Sequence, residues 1–185
     1  FLGELRERID YDLAYLRGGH AHNAIPLEAK AVITADRAFA VPLALAVEKL
    51  RTRMGHLFQV NDPGFQVELR EVPPPERVWN KGSRDSTLDL VALLYNGVFA
   101  MHDSIPGQVS ASSNVGRVLV NENKEIEIDV FLRCAIDFSE EILAFQHARA
   151  AKLTGFHAGV DSYPGWMGGL DNPLAGLMGR VYRRQ

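Results

Sequence analysis

The side chains best suited to chemistry fall in two short stretches, Gly18-Gly19-His20-Ala21-His22-Asn23 and Leu132-Arg133-Cys134. In the first, two glycines free the backbone for φ angles that side chains forbid. Asn23 then stands at a corner between extended runs, where a rigid scaffold can hold a side chain out for binding. A Gly-rich hairpin turn with a left-handed asparagine accounts for the same residues without any ligand. His20 and His22 alternate as strand neighbours do and could chelate a metal. His56, His102, His147 and His157 are scattered and supply no obvious third ligand. Solvated histidines in a polar loop are therefore the stronger reading. Arg133 ends a strand on the face opposite its apolar stripe, where a guanidinium can fork onto a carboxylate. A cross-strand salt bridge to Asp or Glu is the simpler explanation of the same residue. Cys134 sits at a strand–loop join and reads as packing rather than as a nucleophile. There is no Gly-x-Ser-x-Gly elbow and no phosphate-cradling glycine loop, so serine hydrolysis and nucleotide binding lack support.

The elements that must hold these residues follow from periodicity. Leu2, Leu5 and Ile9 recur at helical spacing, so residues 1–9 are expected to end a helix. Residues 12–17 read as a strand, and Pro26 begins a second one over 25–35. A helix runs from Ala38 to about Phe58, with Pro42 in its first turn. After the Asn61-Asp62-Pro63-Gly64 turn, residues 65–70 alternate as a half-buried strand, and Pro73-Pro74-Pro75 forces an extended connection. Ser86 is the expected cap of a helix that Gly97 stops, and 98–109 read as a loop. The clearest unit is a β-hairpin. Ser113–Val120 turns at Asn121–Lys124 and returns as Glu125–Arg133, with Ile126, Ile128, Val130 and Leu132 on one face and Phe131 and Arg133 on the other. Asp137 with Glu140 resembles a capping box, opening a helix with Ile142, Phe145 and Leu153 inward. Residues 156–162 read as a strand, and Asn172-Pro173 starts a last helix.

That order of strands and helices predicts an α+β fold. It is close to a ferredoxin-like sandwich with an insertion, an antiparallel sheet carrying helices on one face. A chain of 185 residues can bury a real core. Its net charge of −3 with mixed signs advertises neither nucleic acid nor an anionic membrane. No apolar run approaches the roughly 20 residues that span a bilayer. With a single cysteine and no basic–apolar leader, the expectation is a cytoplasmic protein. The opening Phe1-Leu2-Gly3-Glu4-Leu5-Arg6, without methionine or cap, reads as the back half of a helix cut from a longer protein.

Taken together, four motifs resemble one family. Gly18-Gly19 with Asn23-Ala24-Ile25-Pro26-x-Glu28-Ala29 looks like the Gly-Gly-x-x-x-Asn-Ala-Ile-Pro-Arg-Glu-Ala segment of aminoacyl-histidine (Xaa-His) dipeptidases. These belong to the two-zinc metallopeptidase superfamily that also holds carnosinases and carboxypeptidase G. The likeness continues at Ser112-Ser113-Asn114-Val115-Gly116, at Leu132-Arg133-Cys134-Ala135-Ile136-Asp137 and at Tyr163-Pro164-Gly165-Trp166, in order, from about residue 10 to 184.

The resemblance implies that residues 1–162 are most of a lid domain, incomplete at its start, and that 163–185 begin the return into a catalytic domain. In that family the lid closes over a dipeptide held at two zinc ions. The metal ligands and the general base are expected outside this chain, as is the lid's own Gly-Gly-His-Ser-Gly strand. This stretch would thus carry no catalytic or metal-binding residue and would be inactive alone. Carried over, Arg133 would grip the substrate's C-terminal carboxylate, Asn23 would hydrogen-bond substrate at the lid seam, and Asn114 would line the same cleft. Leu27 replaces the family's usual Arg and Cys134 its Ser, which bears on side-chain preference. The expected partners are the dipeptide and the catalytic domain of the same parent chain, with a homodimer compatible and neither nucleic acid nor membrane implied. A non-catalytic dimerisation or peptide-binding module of the same fold is the alternative, and a small metal-binding protein using His20 and His22 a further one.

Overall fold

A computed structural model describes residues 1–166 and 173–182. The fold is α+β, with five strands hydrogen-bonded in an antiparallel sheet. In chain order the elements are α1 (Leu2–Arg6), β1 (Tyr11–Gly18), β2 (Ala29–Ala35), a short 3₁₀ turn (Arg37–Phe39), α2 (Ala40–Phe58), α3 (Lys81–Leu93), β3 (Gly97–Met101), β4 (Val109–Val120), β5 (Ile126–Cys134), α4 (Asp137–Leu153) and α5 (Pro173–Tyr182). The chain divides into two compact units, Phe1–Arg17 with Ala29–Ala92, and Gly18–Glu28 with Leu93–Gln185.

The first unit is built on Leu5, Ile9, Tyr11, Leu13 and Leu88, all buried. The helical spacing of Leu2, Leu5 and Ile9 and the alternation of Tyr11 and Leu13 bring these side chains to one core. Its polar groups are satisfied from within. The Tyr11 hydroxyl donates to the Leu2 carbonyl at 2.8 Å, and the Trp79 N–H donates to the Leu13 carbonyl at 2.7 Å. Arg84 is buried, donates to the Tyr11 carbonyl and to Asp85, and lies 5.2 Å over the Tyr11 ring. A buried guanidinium needs such a set of partners, because an unpaired one would be expelled.

The second unit is organised by β4. Its first half pairs with β3, from Gly97↔Ser113 to Met101↔Val109, and its far half reaches Gly18 through Val118 on that edge. The other edge is taken by β5, from Ala111↔Cys134 to Val120↔Ile126. The hairpin turn is stitched by Asn121, whose Oδ1 accepts from the Glu125 N–H at 2.9 Å, with Lys124 left-handed at φ 65°. Residue pairing slips between Val115↔Val130 and Arg117↔Asp129, so Gly116 is an extra residue, a β-bulge.

Several expectations are corrected. Residues 65–70 form no strand. Alternation there finds no partner, and the segment is held instead by Arg51 donating to the Val67 carbonyl and by the Phe58–Phe65 ring contact at 4.8 Å. Residues 25–28 and 156–162 are likewise outside strands, and Ile25 and Leu27 are exposed. The α3 helix starts at Lys81, not at Ser86, because Asn80 caps it by accepting from the Ser83 N–H at 2.8 Å. Residues 98–101, expected in a loop, belong with Gly97 to β3, an edge strand on β4. The capping box at Asp137 does not form. Ile136 occupies the cap position without a side-chain bond, and Asp137 Oδ1 accepts from the Gly165 N–H at 3.2 Å. The inner face of α4 is Leu143, His147, Ala150 and Ala151, while Phe145 and Leu153 are 70% and 74% exposed. Two apolar stripes run along this helix, and the one with alanines is the buried one. The Asn172 cap lies outside the described residues, while the helix it was expected to open is α5.

Candidate functional site

The alternation of β4 and β5 sorts the second unit's chemistry onto two faces. On one, Ser113 pairs with Leu132 and faces α4, where Ser113 Oγ lies 3.1 Å from His147 Nε2. On the other, Ser112 pairs with Arg133, Asn114 with Phe131, and Arg117 with Asp129 across the bulge. This second face gathers two of the three residues singled out in the sequence and receives the loop that carries the third.

The loop of residues 19–28 is pinned at its ends by the Gly19 N–H donating to the Glu28 carbonyl at 3.0 Å. It settles on the bulge by backbone contact. A methyl group added at Gly116 would lie 2.2 Å from the His22 carbonyl oxygen, and one at Gly19 would lie 1.9 Å from the Gly116 carbonyl oxygen. Gly19 also adopts φ +64°, the conformation that favours glycine. Gly19, singled out in the sequence, and Gly116 in the bulge thus let two backbones touch. Asn114 completes the seat, its Nδ2 donating to the Ala24 carbonyl at 2.8 Å.

Each expected site residue can now be placed. Asn114 is half-buried and holds the loop with one amide donor. Asn23 is exposed on that loop, one residue from the anchored Ala24. Arg133 is exposed on the same face as Asn114, and its guanidinium carbon lies 5.8 Å from the Phe131 ring centre. Among the described residues Arg133 forms no ion pair. The cross-strand ion pair on this face is made four residues earlier, by Asp129 with Arg117 at 2.6 Å. The neighbour that sequence reasoning missed is Phe131, whose ring centre lies 5.8 Å from the Arg133 guanidinium carbon and 5.7 Å from the His22 ring centre. Its parity with Arg133 was the available signal.

The opposite face carries a different kind of group. His147 is buried, its Nδ1 has no partner among the described residues, and burial pushes its imidazole below the usual value. Beside Ser113 this is not a hydrolytic pair, because nothing orients the second nitrogen as a base requires. It titrates all the same. In the unfolded chain the imidazole takes up its proton near pH 6.5, while the folded chain holds it neutral to lower pH. Stability is therefore full above about pH 6.5 and is lost as pH falls below it. The urea midpoint is expected to drop between about pH 7.5 and 5.5, and His147→Gln, which cannot titrate, should drop less. Equal drops would contradict this origin.

Cys134 shows no sign of activation, since burial, followed by the nearby Glu140 charge, pushes its thiol up. Among the described residues no three His, Cys, Asp or Glu side chains come together as metal ligands. His20 and His22 are therefore joined by no third ligand, and these residues do not fit a pair of zinc ions. Among them, too, no helix is long and apolar enough to cross a membrane.

Comparison with known proteins adds a likeness in sequence and in fold. The chain is 28% identical, over all 185 residues, to the cytosol non-specific dipeptidase of Escherichia coli (strain K12), and covers 38% of that protein. Its structure superposes on the aminoacylhistidine dipeptidase of Vibrio alginolyticus with a TM-score of 0.87 at 22% identity, over 99% of this chain and 38% of that one. The likeness is to part of a dipeptidase. The chain spans less than two fifths of the length of either relative, and the structural match establishes the shared fold. No family model matches.

Proposed function

We propose that this chain is the lid portion of a metal-dependent dipeptidase, and that its exposed sheet face receives the substrate. The observation that carries the reading is that Arg133, free of any ion pair among the described residues, shares one face with Asn114 and the seated 20–24 loop. A cation left unpaired beside hydrogen-bonding groups suits a carboxylate, which takes two parallel N–H donors from a guanidinium. In this reading Arg133 grips the substrate's C-terminal carboxylate. Asn23 hydrogen-bonds the peptide, and Asn114 lines the cleft and fixes the loop that presents Asn23. Fixing a dipeptide at its carboxylate leaves few ways for its scissile carbonyl to lie, which is a contribution of orientation and water exclusion.

In this reading the two zinc ions that the resemblance implies, and the general base, reside in the rest of the longer protein. Residues 163–185 begin the return into that portion, and the setting is the cytoplasm, as in the Escherichia coli relative named for the cytosol. The 185-residue chain by itself, supplied with zinc, is expected to leave dipeptide hydrolysis at background. A crystal structure of the longer protein with a non-hydrolysable dipeptide analogue tests the placement. The expected result is a carboxylate oxygen within about 3 Å of an Arg133 nitrogen. A carboxylate held by another cation, with Arg133 facing solvent, would overturn it.

A further inference from the structure

On one edge of β4 the strand β3 stops at the pair Gly97↔Ser113, and β1 is met at Val118. Between those points β4 carries its bulge and receives the 20–24 loop. Alternate residues of a strand turn their N–H groups to opposite edges. Val115, two past Ser113, therefore directs its N–H to the edge that β3 has just left. An antiparallel continuation of β3 would set Tyr95 opposite Val115, but Tyr95 lies outside the strand. A side chain makes the missing rung instead, as Asn96 Oδ1 accepts from the Val115 N–H at 2.8 Å. Asn96 is itself held on both sides. The Tyr95 hydroxyl donates to the Val98 carbonyl at 2.6 Å, and Gly97, at φ +134°, turns the chain into β3.

The extra residue of a bulge is counted against the partner strand, and the count alone would allow Val115, Gly116 or Arg117 to be the unpaired one. Arg117 is fixed opposite Asp129 by their ion pair at 2.6 Å. Val115 is fixed by Val130 on one edge and by Asn96 on the other. Gly116 is what remains between these anchors, and it alone of the three has no Cβ to strike the His22 carbonyl. We infer that Asn96 is a positioning residue, which keeps the bulge on Gly116 and so holds the 20–24 loop, with Asn23, where it can meet a peptide. Asn96 touches no substrate itself, and its role rests on the proposed part of Asn23 in holding the dipeptide. Without its acceptor the Val115 N–H loses the bond that marks its place in the ladder. The extra residue can then pass to Val115, whose β-branched side chain would stand under the loop in place of a glycine.

The test uses the longer protein that carries this segment, with its metals. Asn96 is exposed, so its variants leave the core alone. Asn96→Leu keeps the volume and removes the acceptor, Asn96→Ala removes both, and Asn96→Asp keeps an oxygen that accepts from an N–H. One readout is hydrogen exchange at the Val115 amide. The other is kcat and KM for Ala-Phe and for its C-terminal amide. In Asn96→Leu and Asn96→Ala both the exchange rate and KM should rise roughly 2- to 10-fold, the share of one hydrogen bond. KM should rise by the same factor for the free acid and the amide, because Arg133 stays in place on β5, and kcat should hold. Asn96→Asp should return exchange and KM to within about twofold of wild type. Unchanged exchange or unchanged KM in the Leu and Ala variants, or no recovery in the Asp variant, would overturn the positioning role. Asn23→Ala in the same assay reports the reading beneath it. A raised KM there with an unchanged KM in the Asn96 variants removes Asn96 alone, whereas an unchanged KM in Asn23→Ala takes away the loop's part in binding and the inference with it.

Discussion

Gly116→Ala is expected to destabilise the chain by about 1–3 kcal/mol, the usual cost of forcing extra volume into a packed site. The added methyl group would sit 2.2 Å from the His22 carbonyl oxygen and 2.7 Å from its carbonyl carbon. Both are backbone atoms, so no side chain can swing aside and the whole 20–24 loop must lift. Lifting it breaks the Asn114–Ala24 bond and withdraws Asn23 and His22 from the face they occupy. Gly19→Ala should cost more. It meets the Gly116 carbonyl oxygen at 1.9 Å, and its φ of +64° adds roughly 1–2 kcal/mol for a residue with a Cβ. Gly55, inside α2 with nothing within 4 Å of an added methyl, supplies the control. There alanine should be neutral or stabilising by about 0.5–1 kcal/mol. Guanidinium midpoints of the three variants decide the matter. Equal midpoints for Gly116→Ala and Gly55→Ala would remove the backbone seat from the account.

The role of this seat was half legible. Gly18-Gly19 announced a special turn, but nothing in Ser113-Asn114-Val115-Gly116-Arg117 distinguishes a bulge from a regular strand. A bulge is defined by the partner's count of residues, which a single strand does not carry. The hairpin itself was plain, because charged and apolar residues alternate strictly over Glu125–Val130 and only one face can be buried. By the same rule Arg133 was correctly assigned to the face away from the apolar stripe. Residues 65–70 alternate just as well and form no strand, since a pattern supplies a face and not a neighbour to bond with. The β3 strand was missed for the converse reason. Gly97-Val98-Phe99-Ala100-Met101 is short and apolar throughout, and it exists because β4 extends far enough to pair with it. In α4 the large side chains drew the reading to Phe145 and Leu153, whereas close approach to the sheet selects Ala150 and Ala151. His147 rides on that face with Leu143 four residues before it, a spacing visible in the sequence but easily passed over for a polar residue.

The second large effect belongs to Arg133. Removing one partner of a charge-assisted pair formed away from bulk water costs about 2–3 kcal/mol, roughly 30- to 150-fold in the binding it supports. On the proposed dipeptidase reading, Arg133→Ala in the longer protein should therefore raise KM for a free dipeptide by about that factor. The same dipeptide amidated at its C-terminus offers no carboxylate and should change little, so the preference for free over amidated substrate should collapse. Neighbouring Phe131 makes a purely structural cause easy to recognise, since losing its contact with the Arg133 guanidinium would weaken both substrates alike. The measurement is the KM of one dipeptide and its amide in the wild-type and Arg133→Ala proteins. A selective rise for the free acid is the result expected of a lid that holds its substrate by the carboxylate, and an equal rise for both would contradict it.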